Sequence, residues 1–262
     1  MLLTSENYYS REANEEYLSV SQYKDFMGTY GKPGCEEYAL AKLNGTWVEN
    51  MEDSPALMMG SYVDAHFEGT LDLFKAQHSC MFKKDGNLKA DYIKANEMIN
   101  RCERDALFMQ YMSGEKQVIM TADMFGAKWK IKIDSYHPGK CIVDLKTCQG
   151  IKKIFPHLDI GFLNFLGEWG YYIQGAVYQK VVEINTGKKL PFFIAAISKE
   201  KVADIELIAV EQSLLDEALT EVEHNTPAIL MLKNGETKPI RCEVCDYCKA
   251  TKVLTKPIWS SE

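Results

Sequence analysis

Residues 128–147 constrain this chain more than any other stretch. Ile131-Lys132-Ile133-Asp134 leads into a turn through His137, Pro138, Gly139 and Lys140, and Cys141-Ile142-Val143-Asp144-Leu145-Lys146-Thr147 follows. Two β-branched runs on either side of a Pro-Gly turn predict an antiparallel hairpin. Asp134 closes the first run. In the second, Asp144 and Lys146 stand two apart and share a face of the strand. Two acids on neighbouring strands with an amine beside one of them suit a hard divalent cation. Mg2+ or Mn2+ bound there activates water against a phosphodiester. On its own, an Asp-x-Lys pair reads first as a solvated strand edge, and only its neighbours change that.

The surrounding pattern is that of an α/β protein. Ser54 and Pro55 predict a helix start, with N-cap serine and proline at the first helical position, and the helix runs to about Gly69. Tyr92, Ala95, Met98, Ile99, Cys102, Ala106 and Met109 recur at three- and four-residue intervals and predict one helix over 89–112. Strands are predicted over 118–125, 127–134, 141–146, 192–198 and 203–210. Further helices are predicted over 171–183 and 211–232. Residues 152–170 read as irregular, and Phe155, Phe162, Phe165 and Trp169 within them read as packing rather than as a flap. Residues 1–262 are read as a single domain, with a loop-like tail from 234 that carries clustered cysteines.

Composition narrows the class. A net charge of −7 argues against a generally basic coat and leaves room for a local basic groove. Lys128, Lys130 and Lys132 alternate along one strand face, opposite Trp129 and Ile131, and read either as a phosphate track or as a solubilising face. The opening residues lack a charged leader and a sustained apolar run, so a cytoplasmic, membrane-free location is expected. The eight cysteines then read as metal ligands or small buried apolar groups rather than disulfides. His78, His137, His157 and His224 read as solvated.

Ile131-Lys132-Ile133-Asp134 and Ile142-Val143-Asp144-Leu145-Lys146, with the acids ten residues apart, resemble the core of the PD-(D/E)XK nuclease superfamily. The likeness is strongest to its RecB/RecE-type exonuclease branch, which includes phage recombination exonucleases. Gly60-Ser61-Tyr62-Val63-Asp64-Ala65-His66 resembles the helical motif whose histidine binds metal, and Gln174-Gly175-Ala176-Val177-Tyr178 resembles the Gln-x-x-x-Tyr helix. The resemblance spans about residues 18–250 and implies a restriction-endonuclease-like mixed sheet with helices on both sides.

It further implies that His66, Asp134, Asp144 and the Leu145 carbonyl bind Mg2+ or Mn2+, with Lys146, Gln174 and Tyr178 completing the catalytic set. Asp64 and Glu68 read as support for the site or as a solvated face. The implied activity is exonucleolytic cleavage at duplex DNA ends in phage-type recombination, beside a single-strand annealing protein and in a homo-oligomeric ring. A CRISPR-adaptation-like nuclease, a superfamily endonuclease and a non-catalytic DNA-binding or assembly module are the alternatives. Cys242, Cys245 and Cys248, with Cys35 as a fourth ligand, resemble the cysteine set that holds a [4Fe-4S] cluster in CRISPR-adaptation exonucleases and AddB-type helicase-nucleases. Four thiolates equally suit Zn2+, the spacing here departs from those relatives, and a metal-free cysteine set stays open beside both.

Overall fold

The two β-branched runs do pair, but only near their turn. In the computed structural model, which describes residues 1–256, the chain opens with α1 (Arg11–Glu16), α2 (Val20–Met27), a short ribbon of β1 (Gly28–Thr29) and β2 (Lys32–Pro33), and α3 (Glu36–Leu43). There follow α4 (Pro55–Glu68), α5 (Leu71–Gln77), α6 (Ala90–Glu103) and α7 (Ala106–Tyr111). Next come β3 (Glu115–Met124), β4 (Ala127–His137), β5 (Cys141–Cys148), a second ribbon of β6 (Ile154–His157) and β7 (Gly161–Asn164), then α8 (Phe165–Glu168) and α9 (Tyr171–Thr186). The order ends with β8 (Phe192–Ser198), β9 (Ile205–Ala209), α10 (Gln212–Lys233) and α11 (Asp246–Ala250). Of the tail expected over 234–262, positions 257–262 lie outside the described residues.

The main sheet has five strands in the order β3-β4-β5-β8-β9. All neighbours are antiparallel except β5 and β8, which run parallel from Ile142↔Phe192 to Cys148↔Ser198. A parallel pair needs a long crossover, and α9 lies within it. One face of the sheet buries Trp129, Ile131, Ile133 and Ile142 against α2, α9 and α10. The other buries Val143, Leu145, Ala195 and Ile197 with side chains of α4, α6 and α7. This is the mixed sheet with helices on both sides that the family resemblance implied.

Two local readings need correction. The helix expected over 89–112 is two helices: Asp105 caps the start of α7 by accepting a hydrogen bond from the Phe108 N–H at 2.9 Å, which ends α6 just before it. The stretch 152–170 is not irregular but forms β6, β7 and α8. Phe165 is buried there and Phe155 packs against the core, whereas Phe162 is 77% exposed. The early tyrosine-rich residues contain α1, and Tyr8 is buried.

The ladder between β4 and β5 decides where function can sit. It runs through His137↔Cys141, Tyr136↔Ile142 and Ser135↔Val143, and goes no further. On the other side of β4, pairing with β3 is interrupted opposite Asp134, where Gln117 has φ +52°. Ile133 and Tyr136 both join the same core, so the side-chain period of two slips between them. The hairpin is therefore closed at its turn and open beyond Val143.

Candidate active site

Asp134 and Asp144 stand where the two strands part. Ile142 donates its N–H to the Pro191 carbonyl, so the even-numbered main-chain groups of β5 face β8 and those of Leu145 face β4. With the β4–β5 ladder ended, Asp134 Oδ2 accepts the Leu145 N–H at 2.9 Å in place of a strand partner. The Leu145 carbonyl is left on the same open side, and the residue lines a cavity of about 560 Å³. Asp134 Oδ1 accepts a long hydrogen bond from Gln117 Nε2 at 3.4 Å.

Asp144 is 2% exposed. Its Oδ1 accepts from Gln174 Nε2 at 2.6 Å. Its Oδ2 lies 2.5 Å from Lys146 Nζ, yet is buried without an aligned hydrogen-bond donor. Burial pushes this carboxyl up to about 6; Lys146 pulls it down and Asp134 pushes it further up. Burial also acts against the charge on Lys146, but Asp144 and Asp134 outweigh it and hold the ammonium above its ordinary value. The proton of this pair belongs on the lysine. Tyr171 lies beneath it, with Nζ 5.2 Å from the ring centre.

Gln174 and Tyr178 project from α9 one turn apart. The helix reaches the sheet closely because residue 175 is glycine: a Cβ there would stand 2.7 Å from Phe192 Cδ1 and 2.8 Å from Leu215 Cδ2. Tyr178 donates its hydroxyl proton to the Lys132 carbonyl at 3.0 Å, which fixes β4 at the approach to Asp134.

The histidine expected to join this set does not. His66 Nε2 pairs with Glu103 Oε1 of α6 at 2.9 Å, and its ring packs edge-on against Phe67. It does not line the cavity; Asp64 and Glu68 do. The reason is rotation. α4 is set by its buried face of Met58, Met59, Tyr62 and Val63 and by Gly60, where a Cβ would meet Thr147 Oγ1 at 3.0 Å. Gly60, Asp64 and Glu68 fall on one stripe at four-residue spacing, whereas His66 is about 200° around the helix from Asp64. Burial, then Asp134 and Asp144, push the Asp64 carboxyl well above its ordinary range. The signal available in the sequence was this i, i+4 relation to Gly60, which points to Asp64 and away from His66.

Carboxylates gathered at one cavity, with Asp64 and Asp144 raised in proton affinity, are the marks of a cation site. Asp64, Asp134, Asp144 and Leu145 all border the one cavity, and oxygen donors such as theirs are what a hard divalent cation takes. Without His66, nothing among these donors favours a softer ion. Lys24 of α2 also lines the cavity. Burial, then nearby Lys146, draw its ammonium down to about 7.

The lysine stripe of β4 divides differently from the expected track. Lys128 pairs with Glu16 at 3.0 Å. Lys130 is 1% exposed and donates to the Tyr8 carbonyl and to Asn14 Oδ1. Lys132 remains at the cavity, beside the Tyr9 ring. The histidines read as solvated are mostly engaged: His137 meets the Tyr111 carbonyl at 2.8 Å, His157 pairs with Glu168 at 2.7 Å and His78 with Glu52 at 2.8 Å.

Away from this cavity, the structure brings Cys35, Cys242, Cys245 and Cys248 together, with all four sulfurs within 4.8 Å of one another. All are free thiols.

Residues 19–251 match the family model described as a PDDEXK-like domain of unknown function (DUF3799). A crystal structure from Eubacterium rectale, described as a "putative exonuclease", is similar at 57% identity, with 99% of this chain and 97% of that one covered and a TM-score of 0.95. No curated protein matches the chain. Among the described residues, no helix is long and apolar enough to cross a membrane.

Proposed function

The chain belongs to the family of PDDEXK-like domains described as DUF3799, and from that footing we propose that it is a Mg2+- or Mn2+-dependent exonuclease acting on duplex DNA ends. The observation that carries this reading is the convergence of Asp64, Asp134, Asp144 and Lys146 on one cavity at the parted end of a hairpin. The 57%-identical relative described as an exonuclease supports the choice of end-directed cleavage.

Asp64, Asp134 and Asp144 would hold a divalent cation, which when bound would supply an acidified water and neutralise charge on the attacked phosphate. The rest falls to the chain. Lys146, kept protonated by Asp144 and Asp134, presents Nζ to the negative charge that grows on phosphate oxygens. Gln174 holds Oδ1 of Asp144 and so fixes the carboxylate, whose Oδ2 faces Lys146. Asp134 ties down the Leu145 N–H and keeps the strand end in place. Tyr178 anchors β4 from the other side. Lys24 and Lys132 line the entrance and meet the phosphate backbone. Pairing with a single-strand annealing protein and assembly into a ring are part of the same proposal, as the setting in which a resected end is useful.

The test is degradation of a linear duplex labelled at either end, with Mg2+, Mn2+ or EDTA. Wild type runs beside Asp144→Ala and Lys146→Ala, and a closed circular duplex serves as control. Metal-dependent shortening from an end, absent on the circle and lost in both variants, is the expected result. Cutting of the circle would move the reading to an endonuclease. DNA binding with no cleavage would move it to a non-catalytic module.

A further inference from the structure

We propose that Cys35, Cys242, Cys245 and Cys248 hold a single zinc ion in a closed, all-sulfur site, and not an iron–sulfur cluster. Size separates the two. Cys35 and Cys248 sulfurs are 3.6 Å apart, Cys242 and Cys248 sulfurs 3.9 Å, and no pair among the four exceeds 4.8 Å. Four sulfurs at about 2.3 Å from one zinc, at tetrahedral angles, stand about 3.8 Å from one another. In a four-iron cluster each thiolate sits on a different iron. Its sulfurs are then spread by an additional iron–iron separation, which this cradle does not provide.

The surroundings are those of a structural centre. Cys35 and Cys248 are buried. The Cys245 N–H points at the Cys242 sulfur at 3.3 Å, and the Cys248 N–H at the Cys245 sulfur at 3.4 Å, so main-chain donors already face groups that carry negative charge when metal is bound. Arg241 braces the loop by donating to Glu37 Oε2 at 2.7 Å and to the Cys248 carbonyl at 2.9 Å. Four protein ligands leave no open position, as in structural rather than catalytic zinc sites. None of the four lines the active-site cavity.

The centre nevertheless bears on that cavity. Cys35 donates its N–H to the Asp25 carbonyl at 2.9 Å, and the neighbouring residue on α2 is Lys24, at the cavity wall. The ion thus ties α11, near the C-terminal end, to α3 and α2. Metal binding of this kind adds directly to folding free energy.

The test uses the full chain, expressed with both iron and zinc supplied and purified without oxygen. Zinc, iron and acid-labile sulfide are counted per chain and the visible spectrum is recorded. The expected result is about one zinc per chain, no sulfide and no visible absorption. Exchange with Co2+ should then give the intense bands of tetrahedral thiolate coordination. Stripping the zinc should lower Tm by at least about 5 °C. Iron with sulfide, one iron without sulfide, or less than about a tenth of a metal ion per chain would each overturn the proposal. Cys245→Ser should lose the zinc. If that variant does not fold, the wild-type count and the cobalt spectrum still decide. Asp144→Asn should keep its zinc in full, which separates this centre from the carboxylate site.

Discussion

At the scale of single residues, the buried carboxylate of Asp144 makes a prediction of its own. Its folded-state value, about 6, lies above its ordinary 3.8, so the metal-free protein holds this proton more tightly than the unfolded chain does. The sign follows. The contribution of this group to stability is greatest at low pH and is lost as pH rises between those two values. In EDTA, Asp144→Asn should therefore raise Tm at pH 7 and leave it nearly unchanged at pH 4. Added Mg2+ should stabilise wild type more at pH 7 than at pH 5, because protons compete for the same oxygens. A second expectation separates the two candidate ligands of α4. Asp64→Ala should weaken Mg2+-dependent activity by more than about 10²-fold, the scale at which even outer-shell losses weaken metal sites. His66→Ala should stay within about twofold, because its partner is Glu103. Mg2+ titrations of activity check both. The sequence grouped Asp134, Asp144, Lys146, Gln174 and Tyr178, which border one cavity, and the four cysteines, whose sulfurs meet. Asp64 was not grouped with them, because two residues along a helix are nearly opposite faces, and the sequence does not state the rotation.

At the scale of elements, close approach governs the site. Gly60 lets α4 lie against Thr147 of the catalytic strand, and Gly175 lets α9 lie against Phe192 and Leu215. Gly175→Val should cost about 1–3 kcal/mol through overpacking, read as a fall of about 2–4 °C in Tm per kcal/mol for a chain of this size. Gly60→Leu acts on α4 instead. It should reduce activity more than stability, because the displaced helix carries Asp64; thermal melts beside rate measurements distinguish the two effects. The hairpin itself was readable from two β-branched runs and a turn. Its opening beyond Val143 was not, since the slip between Ile133 and Tyr136 arises from packing of β4 against β3 and the helices.

At the scale of the whole molecule, the proposed function would require a chain of net charge −7 to meet DNA through a local surface. Lys24 and Lys132 at the cavity are the candidates for it, while Lys130 is consumed by Tyr8 and Asn14. Lys132→Ala should lower the salt dependence of duplex binding by about 0.9 in the slope of log K against log salt, one phosphate contact's worth. Lys128→Ala should leave that slope unchanged, because its partner is Glu16. Binding measured across a salt series decides the matter.

The division between what the sequence determined and what folding decided runs along chain distance. Alternating β-branched residues, capping serines, a Pro-Gly turn and short-range spacings are local, and they were enough to specify the hairpin, the Asp-x-Lys strand and the helix of Gln174 and Tyr178, while the mixed sheet was implied by the family resemblance. The rotation of α4, the parting of β4 from β5, the burial of Lys130 and the narrow spacing of the four sulfurs were decided by tertiary structure. Each depends on contacts between residues far apart in the chain, where packing of large buried side chains outweighs any local preference.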